Sequence, residues 1–175
     1  MTPRVKLWDP LVRICHAVLV VAFFSNQFLN EEGETWHQWL GYAAVVSVIV
    51  RFAWGFVAPG AASWSDCWPT RARLQAHLSA LIRREPHHRL GHSPLGALVM
   101  LTMMSLMAML GVTGYMMEEI DYFWGEDWLE SLHELLANGL MGLVMLHMAA
   151  ALFESIQLKD NLPRSMITGF RKPLD

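Results

Sequence analysis

Residues 132–147 read LHELLANGLMGLVMLH. The stretch is apolar apart from Glu134, Asn138 and two histidines, His133 and His147, which stand 14 residues apart. Fourteen residues of α-helix make nearly four full turns and rise about 21 Å, so both rings leave one face of a single helix at two depths. The apolar run around them, residues 129–156, is longer than the ~20 residues that cross a ~30 Å hydrocarbon core. An ionisable side chain at that depth costs roughly 2.5–3.5 kcal/mol even on mild insertion scales. Two of them on one face call for a common partner.

Three more apolar stretches surround this one, at residues 11–29, 36–57 and 94–117. The chain of 175 residues is 54% hydrophobic, and its mean hydropathy of +0.29 is too high for an ordinary soluble domain of this size. The backbone in lipid must satisfy its own hydrogen bonds, so helices are the expected spanning element. The reading is a single domain over residues 1–175, an all-α integral membrane four-helix bundle. A signal peptide competes for the first stretch, which follows Arg4, Lys6 and Arg13. No small-residue cleavage site follows it, and the acidic run at residues 31–34 comes instead, which favours an uncleaved span.

Charge orders the bundle. All 13 Lys and Arg fall at the N-terminus, between Arg51 and Arg89, or in the tail from Lys159. Four spans put these three places on one side. The opposite side holds Glu31, Glu32, Glu34, Glu118, Glu119, Asp121, Glu126, Asp127, Glu130 and Glu134, with no base among them. The positive-inside rule makes the basic side cytoplasmic, with both termini there. The expected location is the bacterial cytoplasmic (inner) membrane, with multiple passes. The loop at residues 58–93 should carry a short amphipathic helix over 69–84, with Leu74, Leu78 and Leu81 on one face, lying in the inner headgroup plane beside Trp64 and Trp68. Trp8, Trp36, Trp39, Trp124 and Trp128 suit interfacial belts. Cys15 and Cys67 lie on the inner half, where a disulfide is not expected.

Four histidines stand at span rims: His16, His37, His133 and His147. Helix direction places His16 and His147 near the inner rim and His37 and His133 near the outer one. Given two rim-level sites, the pairs that can meet are His37 with His133 and His16 with His147. Paired imidazoles on either side of a haem iron explain all four. Such an iron is six-coordinate and keeps no open position, which suits electron transfer over bond chemistry. No CxxCH motif is present, so the haem would be held non-covalently. Zinc competes, although structural zinc takes four ligands and neither rim offers four. Histidines that merely bond helix to helix are the plainer alternative.

Lesser candidates surround the four. Arg51 follows His37 by 14 residues and so faces the same way at the inner rim, in place to pair with propionates of an inner haem. Lys159 is a second propionate candidate. His92 opens the third span and is a candidate propionate or quinone contact; His77, His87 and His88 read as headgroup-level residues. Span glycines at 41, 55, 111, 114, 139 and 142 let helices approach closely or leave room for a flat macrocycle. The methionines of the third span cover several of its faces, which fits packing better than ligation.

The chain resembles the prokaryotic cytochrome b561 family, relatives of the b-type subunits of nickel-iron hydrogenases. The landmarks run through nearly the whole sequence: residues 5–16 (VKLWDPLVRICH), 36–42 (WHQWLGY), 51–56 (RFAWGF), 90–96 (LGHSPLG), 132–147 and 160–169 (DNLPRSMITG). The resemblance implies two non-covalent b haems, with His16, His37, His133 and His147 as axial ligands. It also implies electron transfer between quinone, ubiquinone or menaquinone, and a redox partner. Some members oxidise superoxide at the outer face and reduce ubiquinone. The acidic outer rim here would repel that anion and steer a basic partner such as a periplasmic c-type cytochrome. The leading expectation is therefore electron transfer through two haems that links the quinone pool to such a partner. Superoxide:ubiquinone oxidoreductase activity is the first alternative and a non-redox helical scaffold or metal carrier the second. No nucleic-acid partner is expected, and the oligomeric state is left open, a homodimer being one option.

Overall fold

The computed structural model describes residues 5–83, 91 and 93–173. A short strand, β1 (Val5–Lys6), leads into α1 (Pro10–Phe28) and α2 (Thr35–Val57). A 3₁₀ turn (Gly60–Ala62), a single-turn helix α3 (Trp64–Cys67) and α4 (Arg71–Ile82) follow. Then come α5 (Pro94–Glu119), a 3₁₀ turn (Asp121–Phe123), α6 (Asp127–Gln157), α7 (Leu162–Thr168) and β2 (Phe170–Arg171). Helices α1, α2, α5 and α6 are long and apolar enough to cross a membrane. They match the four expected spans to within two residues at each end. The protein is an all-α, multi-pass membrane protein.

The chain divides into two compact units. The first takes Met1–Arg13, Phe52–Leu101 and Leu146–Asp175; the second takes Ile14–Arg51 and Thr102–Met145.

In the first unit the two ends of the chain are stitched together. Asp9 caps α1 by accepting from Val12 N at 3.0 Å, and Pro10 supplies the preset φ of the first helical position. The other Asp9 oxygen accepts from the indole N–H of Trp54 at 3.0 Å, which ties the start of α1 to the last turns of α2. At the far end, Asn161 caps α7, and Gly169 closes it in the left-handed conformation at φ 85°. The Gly169 carbonyl then accepts from Leu7 N (2.8 Å) and Trp8 N (3.2 Å), while β1 pairs antiparallel with β2. Arg13 donates to the carbonyls of Met166 and Ile167, satisfying late carbonyls of α7. Trp8, Val12, Ala58 and Ala62 form the small core beneath this seam.

Two tryptophans depart from the interfacial reading. Trp8 lies in that core, and Trp64 is only 5% exposed. The Trp64 indole donates to the carbonyl of Phe52 at 2.8 Å and lies against Gly55, where an added Cβ would overlap the ring. Their polar N–H does not force a tryptophan to the headgroup layer when another partner is within reach. Trp36, Trp39, Trp124 and Trp128 are exposed, as a belt requires. The amphipathic segment is shorter than expected: Thr70 precedes α4, its Oγ1 accepting from Arg73 N and its carbonyl from Leu74 N. Leu78 and Ile82 are exposed on it. The 3₁₀ turn and α3 that precede it add to the expected elements; Ser63 is the N-cap of α3, its hydroxyl accepting from Ser65 N.

The second unit is the part of the bundle built from segments of all four long helices. Val45 on α2 fills the place a Cβ on Gly111 of α5 would take, so these helices meet at a glycine. Asn26 on α1 donates to the carbonyl of His37 on α2 at 2.8 Å, and Tyr42 on α2 donates to Glu119 at the end of α5.

The Trp64 seat gives a direct test. Gly55→Ala should lower the thermal unfolding midpoint in detergent, with an overpacking cost of about 1–3 kcal/mol. Gly139→Ala, whose Cβ meets nothing within 4 Å, should not lower it.

Candidate functional site

Helix α2 sets His37 in its first turn, and α6 sets His133 two turns into its own course. Within the second unit their rings face each other with centroids 6.3 Å apart and planes inclined at 51°. A metal-bound imidazole nitrogen lies about 2.0–2.1 Å from its ion and the ring centre about 1.1 Å beyond it, so two rings across one ion have centroids about 6.3 Å apart. The observed separation has that value.

The ring nitrogens differ in their partners. His37 Nδ1 is buried and has no hydrogen-bond partner among the described residues, although buried polar atoms are nearly always paired. A group seated between the rings fits such an atom. His133 Nδ1 is 2.7 Å from the hydroxyl of Thr113 on α5, so its Nε2 is the nitrogen left for another partner. Gly41 follows His37 by one turn on the same face, and a Cβ there meets nothing within 4 Å. That leaves space beside His37 that side-chain packing does not use. Among the described residues no group of three or more His, Cys, Asp or Glu side chains could hold a metal ion by itself. An ion at this pair needs its remaining donors from a ligand, which a porphyrin supplies and structural zinc lacks.

The other expected residues are distributed along the chain. His16 stands half-buried on α1 in the second unit, and His147 half-buried on α6 in the first. Arg51, on α2, is 5% exposed despite its charge. Lys159 is exposed just beyond α6, at a positive φ of 48°, and borders a cleft with Asp160, Asn161, Arg164 and Lys172. His92 lies outside the described residues, as do His87 and His88. Thr113 and Asn26 escape the sequence reading. The only signal for Thr113 is a polar side chain inside an apolar span, and a threonine there usually just bonds back to its own helix.

Two of the span glycines do not serve the site. Gly142 follows His133 by nine residues, a rotation of about 180°, and Gly139 is also turned well away from it. Leu136 and Leu140, both buried, occupy the histidine face of α6 instead. The macrocycle room considered at Gly139 and Gly142 is therefore not on the side where the rings are.

The surroundings are electrostatically one-sided. The ten carboxylates at residues 31–34 and 118–134 are all exposed and belong to the second unit. Arg51 is the only Lys or Arg in that unit, and it is buried.

No curated protein and no solved structure matches the chain. The family described as prokaryotic cytochrome b561 matches it over residues 7–169. That match takes in all four long helices and every rim histidine, so the chain belongs to the prokaryotic cytochrome b561 family, whose members transfer electrons across membranes by b-type haem.

Proposed function

We propose that this protein carries electrons across the bacterial cytoplasmic membrane through two b haems. It links the quinone pool to a periplasmic redox protein, a c-type cytochrome of basic surface. His37 and His133 would hold the outer haem, and His16 and His147 the inner one. The 6.3 Å facing pair of His37 and His133 carries the reading. For the inner pair the support is helical arithmetic: His147 stands 14 residues from His133 on the same helix face, and His16 lies near the basic end of α1.

A bis-imidazole haem supplies reversible one-electron transfer without an open iron position. The chain's own residues do the rest. His37 and His133 would present nitrogen lone pairs from α2 and α6, and the Asn26 bond to the His37 carbonyl ties α1 to α2 beside them. Arg51, buried at the basic end of α2, would neutralise propionates of the inner haem, with Lys159 and His92 as further contacts. A cation in a dry setting is worth far more to a carboxylate than one in water.

The acidic outer surface supports a cationic partner. Ten exposed carboxylates attract a basic cytochrome over the range of a Debye length and orient it before contact. The same field repels superoxide, which disfavours the oxidase alternative. The basic connections and tails support a cytoplasmic position for the opposite end, since positive segments tend to stay there.

Purified wild type should contain two b haems per chain by pyridine haemochrome assay, and His37→Ala and His133→Ala should each contain one. Full haem content in both variants removes the outer assignment. Electron transfer to a basic c-type cytochrome should slow by about tenfold as ionic strength rises from about 0.01 to about 0.15 M, a range in which the Debye length falls from 30 to 8 Å. A rate indifferent to salt removes the acidic docking face.

A further inference from the structure

Thr113 is 6% exposed on α5, and its hydroxyl has three neighbours. They are the carbonyls of Met109 (3.0 Å) and Leu110 (3.1 Å) and Nδ1 of His133 (2.7 Å). A hydroxyl has one hydrogen to give and two lone pairs to receive with. The two carbonyls can only accept, so a hydrogen shared between them leaves a lone pair directed at His133. Nδ1 is then the donor of the shortest of the three bonds. A neutral imidazole with its hydrogen on Nδ1 has a bare Nε2. A threonine is suited to this task, since branching at Cβ restricts χ1 and the back-bond to the helix holds the hydroxyl in one orientation.

We infer that Thr113 is a positioning residue for the outer haem: it holds His133 in the Nδ1–H tautomer, fixes the ring's orientation, and lowers the haem's midpoint potential. The inference rests on the reading of His133 as an axial ligand. The physical step is short. A hydrogen bond from Nδ1–H leaves more electron density on the ring and strengthens Nε2 as a donor, which favours the more positively charged oxidised iron. On His133 the nitrogen remote from the proposed iron is the one bonded to Thr113. This hydrogen-bonding lever acts through His133. No proton has to move for it to act.

The experiment compares the full-length wild type with Thr113→Val, which keeps the shape and removes the hydroxyl, and Thr113→Ser, which keeps the hydroxyl. Each is purified with haem in detergent and titrated anaerobically by α-band absorbance, with parallel electron paramagnetic resonance of the ferric state. The single-haem histidine variants assign the two potentials. Thr113→Val should raise the outer potential, shift the outer haem's resonance signal and speed its loss by about 10–100-fold, the usual effect of removing a ligand's orienting partner. The inner potential should stay where it is, and Thr113→Ser should behave as wild type. Outer-haem loss in the valine variant that serine restores supports the inference equally. Unchanged potentials and haem retention in Thr113→Val overturn it; so do equal shifts at both haems, or a serine variant that behaves like valine. His133→Ala separates the two claims. If it drops one haem while Thr113→Val is silent, the ligand reading stands and only the threonine's role falls; if it keeps both haems, the ligand reading itself has failed.

Discussion

A polar atom inside a hydrocarbon layer has no water to turn to, and the part of the bundle that holds His37 and His133 is organised by that constraint. His37 and His133 bring four ring nitrogens to the ends of apolar helices. One is taken by a threonine hydroxyl that is itself engaged with its own helix. One buried nitrogen has no partner among the described residues, and the two ring centroids stand 6.3 Å apart. The polar groups nearby are arranged around the same pair. Asn26 bonds the backbone of His37 and receives a bond from Asn30 in turn, so the polar side chains at this rim brace the position of the histidine.

Charge is divided as sharply as polarity. All Lys and Arg lie at the N-terminus, between Arg51 and Arg89, or in the tail from Lys159, whereas ten of the 16 Asp and Glu lie at residues 31–34 and 118–134, which carry no Lys or Arg. A single net charge of −3 conceals this division. The division serves two physical ends at once. In the proposed orientation it would keep the positive segments in the cytoplasm and give the opposite surface a field that favours a cationic partner. Arg51 is the exception that fits the pattern: the one base of the second unit is buried on a helix that also carries His37, away from the exposed acids.

Residue type alone misleads where a side chain has a choice of partners. Gly55 and Gly111 are contact glycines, each pressed by a bulky neighbour, whereas Gly139 and Gly142 meet nothing and lie off the histidine face. Trp64 and Trp8 are buried, while Trp36 and Trp124 are largely exposed. A glycine in a span or a tryptophan near a rim is compatible with either outcome. The difference is whether another segment of chain arrives at that point, and a linear pattern does not carry that information.

The four spans, their order and the helical face shared by His133 and His147 are legible in the sequence, because they rest on local quantities: the length of apolar runs, the rise per residue and the sign of charge in the connections. The facing of His37 and His133 could be expected from the same arithmetic. Its distance could not, since that depends on how two helices pack. Thr113 was out of reach for the same reason. Twenty residues and a turn of chain separate it from His133, and only the approach of α5 to α6 makes a threonine that would otherwise just bond to its own helix into a partner for an imidazole. The seam between β1, Arg13 and α7 is a further case, as it joins the two ends of the chain. Periodicity and charge act along the backbone and survive in the order of the residues; hydrogen-bond partners across helices come from three-dimensional proximity, and only the tertiary structure decided them.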